Sequence, residues 1–179
     1  MFIAQKLRKQ NITGYVLYMF QVEDVVRAYG MDERRIANEY LTRFQYDEKQ
    51  RCEAAEWYGA IARMMREEGV EKSGHVQVVR ATMSLLADRH NELLRDTKQP
   101  FYSATYYKAL PFIVELRSRG AGKEKDELEN CLEAVYGVTL LKMQGREVTA
   151  ETMTALQPIV HLLEMLSKLY NDESIIDNR

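Results

Sequence analysis

A chain of 179 residues with a formal net charge of −2 and 29% charged residues has the length of one domain and the balance of an ordinary soluble protein. A chain this long can bury about 70% of the surface its unfolded form exposes, so it needs no disulfide or metal staple. The charge also lacks the basic excess of a nucleic-acid binder: Lys6-Leu7-Arg8-Lys9 and the stretch from Arg117 to Lys125 are its only basic concentrations, and both read as solvated segments.

Nine glycines and three prolines punctuate the chain sparsely, and apolar residues recur at helical spacing from end to end. A short helix at about 2–10 is expected to lay Phe2, Ile3 and Leu7 over the rest as a lid. Asn11 caps a long helix at 12–29, with Ile12, Tyr15, Val16, Met19, Val22 and Val26 on one face and Gly30 at its end. Asp32 caps a helix at 33–44 carrying Ile36, Tyr40 and Phe44. Asp47 with Gln50 forms a capping box that opens 48–68, where Cys52, Ala55, Gly59 and Ala62 make a row of small residues suited to close helix approach. The adjoining face holds Trp57, Tyr58, Ile61 and Met65, and Gly69 stops the helix.

Ser73 is expected to cap 75–97, whose inward row is Val76, Val79, Met83, Leu86, His90 and Leu93. Pro100 starts a helix at 101–119 through Tyr106, Leu110, Ile113 and Leu116, with a kink or restart at Pro111. Gly120-Ala121-Gly122 reads as the clearest linker. The helix at 124–144 presents Leu128, Cys131, Leu132, Val135, Thr139 and Met143. Gly145 stops it, and Thr149 caps a last helix at 150–170, bent at Pro158, with Leu156, Ile159, Val160, Leu162, Leu163, Leu166 and Leu169 as its apolar set. The expected fold is all-α, an up-and-down bundle of about six to eight helices over residues 1–170, followed by a frayed polar tail at 171–179.

Residues 15–27 are apolar around most of the helix circumference yet contain Gln21, Glu23 and Asp24. A helix of that kind sits deep in a fold, and a carboxylate there needs a partner. Glu23 shares the face of Met19 and Val26, and Asp24 lies about 100° away, so the two do not form a carboxylate dyad. Either one lines a pocket, or they make structural pairs: Glu23 with Arg27, Asp24 with an arginine elsewhere. His90 in the core stripe reads as a hydrogen-bonded core histidine, and gains interest only if Glu23 or a tyrosine such as Tyr106 lies within reach. His161 points to solvent, and His75 at a helix start is expected to be exposed. Tyr102, Tyr106 and Tyr107 beside Phe101 suit either a binding surface or the seal of a bundle end.

Glu-x-x-His pairs on two helices, His-Glu-x-x-His, a phosphate-cradling glycine loop and Gly-x-Ser-x-Gly are all missing from the sequence, so it points to neither a metal nor a cofactor. Cys52 and Cys131 lie on apolar faces as small core residues, without zinc spacing. The basic residues near the start precede no signal core, and 15–27 is too polar to span a membrane, so the protein is expected in the cytoplasm.

The opening Met-Phe-Ile-Ala-Gln-Lys-Leu-Arg-Lys, the segment Tyr18-Met19-Phe20-Gln21-Val22-Glu23-Asp24, the Leu-rich run through His90 and Leu140-Leu141-Lys142-Met143 follow one another in a familiar order. Together they resemble an uncharacterised bacterial family, domain of unknown function 4924, over most of the chain. The resemblance implies a single helical domain and supplies no activity, cofactor or partner. Two function classes stay open. One is a non-enzymatic interaction module, homodimeric through a leftover face of the last helix (Ile159, Leu162, Leu166, Leu169). The other is a small-molecule or catalytic site in the bundle core around Glu23 and His90, with Asp24 and Tyr106 nearby.

Overall fold

A computed structural model describes residues 1–118 and 125–176, with side chains described to Asn171. It is an all-α bundle, with no strand among the described residues. Among the described residues eight α-helices follow in order: α1 (Phe2–Gln10), α2 (Ile12–Ala28), α3 (Glu33–Arg35), α4 (Glu48–Glu67), α5 (Gln77–Arg95), α6 (Pro100–Ser118), α7 (Glu127–Met143) and α8 (Ala150–Ile176). The Gly120-Ala121-Gly122 linker lies outside the described residues.

The hub is α2, which packs against α1, α4, α5, α7 and α8. Five neighbours explain why its sequence is apolar on nearly every side: Tyr15, Val16, Met19, Phe20, Val22 and Val26 are all buried. Asn11 starts α2 by accepting from the Gly14 amide at 2.9 Å, and the same oxygen accepts from Ser167 Oγ at 2.9 Å, which fixes α8 to this end. Asp47 and Gln50 form the capping box reciprocally, and Thr149 Oγ1 accepts from the Thr152 amide. Gly30, Gly69 and Gly145 follow helix ends at positive φ.

Several expectations are corrected. The single helix at 33–44 is instead the one-turn α3, a π-helical turn Ile36–Tyr40 and a 3₁₀ turn Leu41–Arg43. Within the wide turn Tyr40 meets the rings of Tyr29, Phe44 and Tyr58 at 5.2–5.9 Å, so ring packing accompanies the loss of regular winding. The small row on α4 does not receive a helix along its length: Cys52 is exposed, and Gly59 makes room for the Glu33 carboxylate, which a Cβ would meet at 2.6 Å. Glu33 there pairs with Arg63 at 2.9 Å. On α7, Leu128, Cys131 and Leu132 are buried, but Thr139 and Met143 face solvent.

The last helix runs on to Ile176 rather than fraying from 171. Asn171 is buried and its amide donates to Lys9 O at 3.3 Å. Residues 177–179 lie outside the described residues. Both α6 and α8 continue through their internal prolines, Pro111 and Pro158. No leftover face exists on α8 at Ile159, Leu162 and Leu166, which are at most 1% exposed, and Leu169 is half-buried. That helix packs against α1, α2, α5, α6 and α7, so its apolar set is used inside the chain.

Candidate functional site

The first polar centre sits where α5 begins. The cap position is taken by Val76, whose side chain cannot accept a hydrogen bond, and no side chain of that residue closes the helix end. Ser73 does not supply the missing acceptor. Two carboxylates from elsewhere do, one on α2 and one just past the end of α4. Glu23 Oε1 of α2 accepts from the Val76 amide at 2.9 Å, and Glu68 Oε2 accepts from the Gln77 amide at 2.5 Å. Negative charge at a helix N-terminus also opposes the positive end of its dipole.

The other oxygen of Glu23 meets His75 Nδ1 at 2.5 Å. His75 is therefore not a free surface residue: its side chain is 17% exposed, and its ring stacks on Phe20 at 4.0 Å. Glu23 itself is 0% exposed with both oxygens engaged, which satisfies a buried carboxylate. Arg27 is not its partner. It pairs with Asp24 at 3.0 Å and donates to the carbonyls of Val70 and Gly74. Asp24 also accepts from Tyr136 Oη of α7 at 2.6 Å, and burial ahead of that contact pushes the Tyr136 phenol up. A carboxylate holding an imidazole by Nδ1 resembles the orienting half of a catalytic triad. Here its visible work is to close α5 and to dock α2 against it, while Asp24 ties α2 to α7 through Tyr136.

The second centre lies near the far end of α5. His90 is buried and shares a 2.6 Å hydrogen bond between Nδ1 and Tyr102 Oη, while its Nε2 stands 3.8 Å from Glu127 Oε1. Tyr106 Oη donates to Glu127 Oε2 at 3.5 Å, and Arg117 lies 3.9 Å from the same oxygen. His90 beside it is the main reason Glu127 falls below the usual carboxylate range, against the opposing pull of burial. Burial first, then the Glu127 charge, push Tyr106 up to about 12. The buried Cys131 thiol is also raised to about 12, by burial and then by Glu127, which leaves it an inert core residue.

The four residues singled out from the sequence therefore do not form one cluster. Glu23 and Asp24 belong to the first centre, through different partners, and His90 and Tyr106 belong to the second. His75 stands two residues before the start of α5 at Gln77, and His90 lies thirteen residues further along that helix, about 20 Å along its axis. His75, Glu68, Tyr136 and Glu127 were not foreseen. The one local signal was a valine at a helix start, which requires an acceptor from elsewhere in the fold. Among the described residues no group of three or more His, Cys, Asp or Glu is placed to hold a metal ion, and no helix is long and apolar enough to cross a membrane.

The remaining candidate is a surface. Tyr102 seals the core at 0% exposure, whereas Phe101 and Tyr107 are 78% and 66% exposed, so the aromatic group at the start of α6 divides between the two roles. The inward row of α6 is Tyr102, Ala109 and Ile113, with Tyr106, Leu110 and Leu116 only half-buried. Its solvent face is also apolar: Phe101, Ala104, Tyr107, Pro111 and Val114 are exposed at spacings of three and four. Beside that face an open groove of about 860 Å³ runs between α6, α7 and α8, and a second of about 580 Å³ runs between α6 and α8. Neither is lined by Glu23 or His90.

No curated protein and no solved structure matches the chain. The family model described as Domain of unknown function (DUF4924) matches residues 1–175, nearly the full length, in agreement with the ordered segments noted in the sequence. The chain belongs to that family.

Proposed function

We propose that this protein is a non-enzymatic helical interaction module that self-associates through the solvent face of α6. The observation that carries the reading is the row Phe101, Ala104, Tyr107, Pro111 and Val114, exposed to solvent on a helix whose opposite side is already in the core. A helix apolar on all sides is normally covered on all sides, and exposed apolar rows of this kind mark contact surfaces. The polar centres support the same reading, because Glu23, Asp24, His90 and Glu127 are spent on joining helices. A ligand site spanning Glu23 and His90 would need the two to converge, and they stand at opposite ends of α5. No nucleic-acid partner is proposed, since a net charge of −2 lacks the basic excess of such binders. We place the module in the cytoplasm; two thiols without a disulfide partner support that compartment.

Light scattering of the purified chain over a wide concentration range tests the reading. Wild type should dimerise, and Tyr107→Glu with Val114→Glu should give a monomer of unchanged helicity and melting temperature. A wild type that stays monomeric at every concentration would refute it.

A further inference from the structure

We infer that the larger groove, between α6, α7 and α8, binds a small apolar molecule carrying an amine. The inference goes beyond the interaction-module reading and does not rest on it. None of Phe101, Ala104, Tyr107, Pro111 and Val114, the row behind that reading, lines this groove.

The groove is compact. Its walls run from Phe112 to Leu116 on α6, from Ala134 to Leu141 on α7 and from Glu151 to Ile159 on α8. At 1.5 Å per residue those walls are about 6, 10 and 12 Å long. A docked helix needs anchors from i to i+7 along its groove, and the α6 wall ends after about one turn. The volume of about 860 Å³ lies inside the range of small-molecule pockets, about 300–1,000 Å³, and the space between helices of a bundle is a usual place for them.

The lining is apolar and part of it is wet. Leu156 and Ile159 are buried, whereas Phe112, Leu116, Val138 and Leu141 are only half-buried around them. A ligand that covers those four side chains is driven by the apolar area it takes from water. Gly137 enlarges the space. It lies inside α7, where glycine weakens a helix relative to alanine, and a Cβ built on it meets no atom within 4 Å. The packing of the chain therefore does not require glycine there, and a side chain at that position would take up room in the groove.

Hydrogen-bonding type selects the ligand. The polar side chains of the lining are Glu115, Glu151, Thr152 and Thr154, with no Lys, Arg, His, Asn or Gln among them. Glu115 is already engaged and is not counted. Thr154 spends its hydroxyl proton on Ala150 O at 2.8 Å, which leaves Oγ1 an acceptor. Thr152 Oγ1 shares a 2.9 Å bond with Thr149 Oγ1. Glu151 stands exposed in the first turn of α8, where its charge suits the helix dipole, and a carboxylate only accepts. An amine donates to such groups and is drawn by Glu151, whereas a carboxylate or phosphate would set acceptor against acceptor.

The test uses the full chain and two probes with one apolar body, naphthylmethylamine and naphthoate. Amide chemical-shift titration gives both affinity and location. The amine should bind saturably, at least about tenfold more tightly than the acid, and move the signals of Ala134, Gly137 and Ala155. Gly137→Leu should weaken the amine by about tenfold or more while the melting temperature holds or rises, and Gly137→Ala should do so to a smaller degree. Glu151→Gln should narrow the preference for amine over acid by about threefold or more at unchanged helicity.

Binding of neither probe, equal binding of both, shifts that map elsewhere, or affinity indifferent to both Gly137 variants would overturn the inference. Loss of a concentration-dependent dimer in Gly137→Leu would also overturn it, by assigning the groove to a second copy. So would an amphipathic leucine–lysine peptide that binds more tightly than the amine and is lost in Gly137→Leu, by assigning it to a protein helix.

Discussion

Replacing Glu23 by glutamine exchanges one oxygen for an amide nitrogen at a site with no exposure and tests whether its carboxylate is the device that starts α5. The amide oxygen of glutamine can still accept from Val76 N, and its nitrogen then faces His75 Nδ1. What disappears is the charge on both bonds. A hydrogen bond to a charged group contributes about 1.5–3 kcal/mol and a neutral one about 0.5–1.5 kcal/mol, so two bonds lose roughly 2 kcal/mol between them. Loss of the charge–dipole attraction at the helix end adds up to about 1 kcal/mol, and relief of carboxylate desolvation offsets part of the sum. The expected net destabilisation is about 1–3 kcal/mol. Glu23→Ala should cost more, about 3–5 kcal/mol, because it strands the Val76 amide and His75 in a buried place. Urea denaturation followed by far-UV circular dichroism reads both, and a double-mutant cycle with His75→Ala isolates the pair, with a coupling of about 1–3 kcal/mol. Glu23→Gln within about 0.5 kcal/mol of wild type would refute the argument, as would additivity with His75→Ala.

Leu86 and Leu163 are 0% and 3% exposed, so truncation of either to alanine should cost about 2–5 kcal/mol, while His161→Ala, at a side chain 68% exposed, should stay within about 0.5 kcal/mol of wild type; chemical denaturation of the three variants decides. Glu127 has a lowered folded-state pKa, so its contribution is present above the ordinary carboxylate value and is lost as pH falls through the folded value. The stability advantage of wild type over Glu127→Gln should therefore shrink on acidification below about pH 4.5; an advantage that grows in that window would show that the charge is not held by His90 and its neighbours.

The elements that could be read from the sequence are those whose causes are local. Asn11, Asp32, Asp47 and Thr149 cap their own helices with their own side chains, and each stands where the sequence puts it. The start of α5 was misassigned to Ser73 because its acceptors, Glu23 and Glu68, lie 53 and 9 residues away. The break between α3 and Phe44 is invisible in the sequence for the same reason: the rings that surround Tyr40 come from Tyr29 just past α2 and Tyr58 of α4 as well as from its own segment. The partner of Glu23 followed this pattern too. Sequence spacing offered Arg27 four residues on, but Arg27 reaches Asp24 and the loop before α5, leaving Glu23 to a histidine of another element.

Facing is the harder problem, and it decides where function is sought. A helical period identifies the inward side only when the other side is polar. On α5 the contrast is strong, and Val76, Val79, Met83, Leu86, His90 and Leu93 all point inward. On α6 it is weak. The row through Tyr106, Leu110, Ile113 and Leu116 and the row through Phe101, Ala104, Tyr107, Pro111 and Val114 are both apolar, and only the packed bundle assigns the second to solvent. The same ambiguity on α8 led to the opposite error, an expected free face at Ile159, Leu162 and Leu166 that the neighbouring helices cover. How much apolar surface a helix carries is written in its residues; how much of it the rest of the chain can cover is a property of the fold. On α6 the fold leaves five apolar residues over, and covering that remainder is what a second copy of the chain would do.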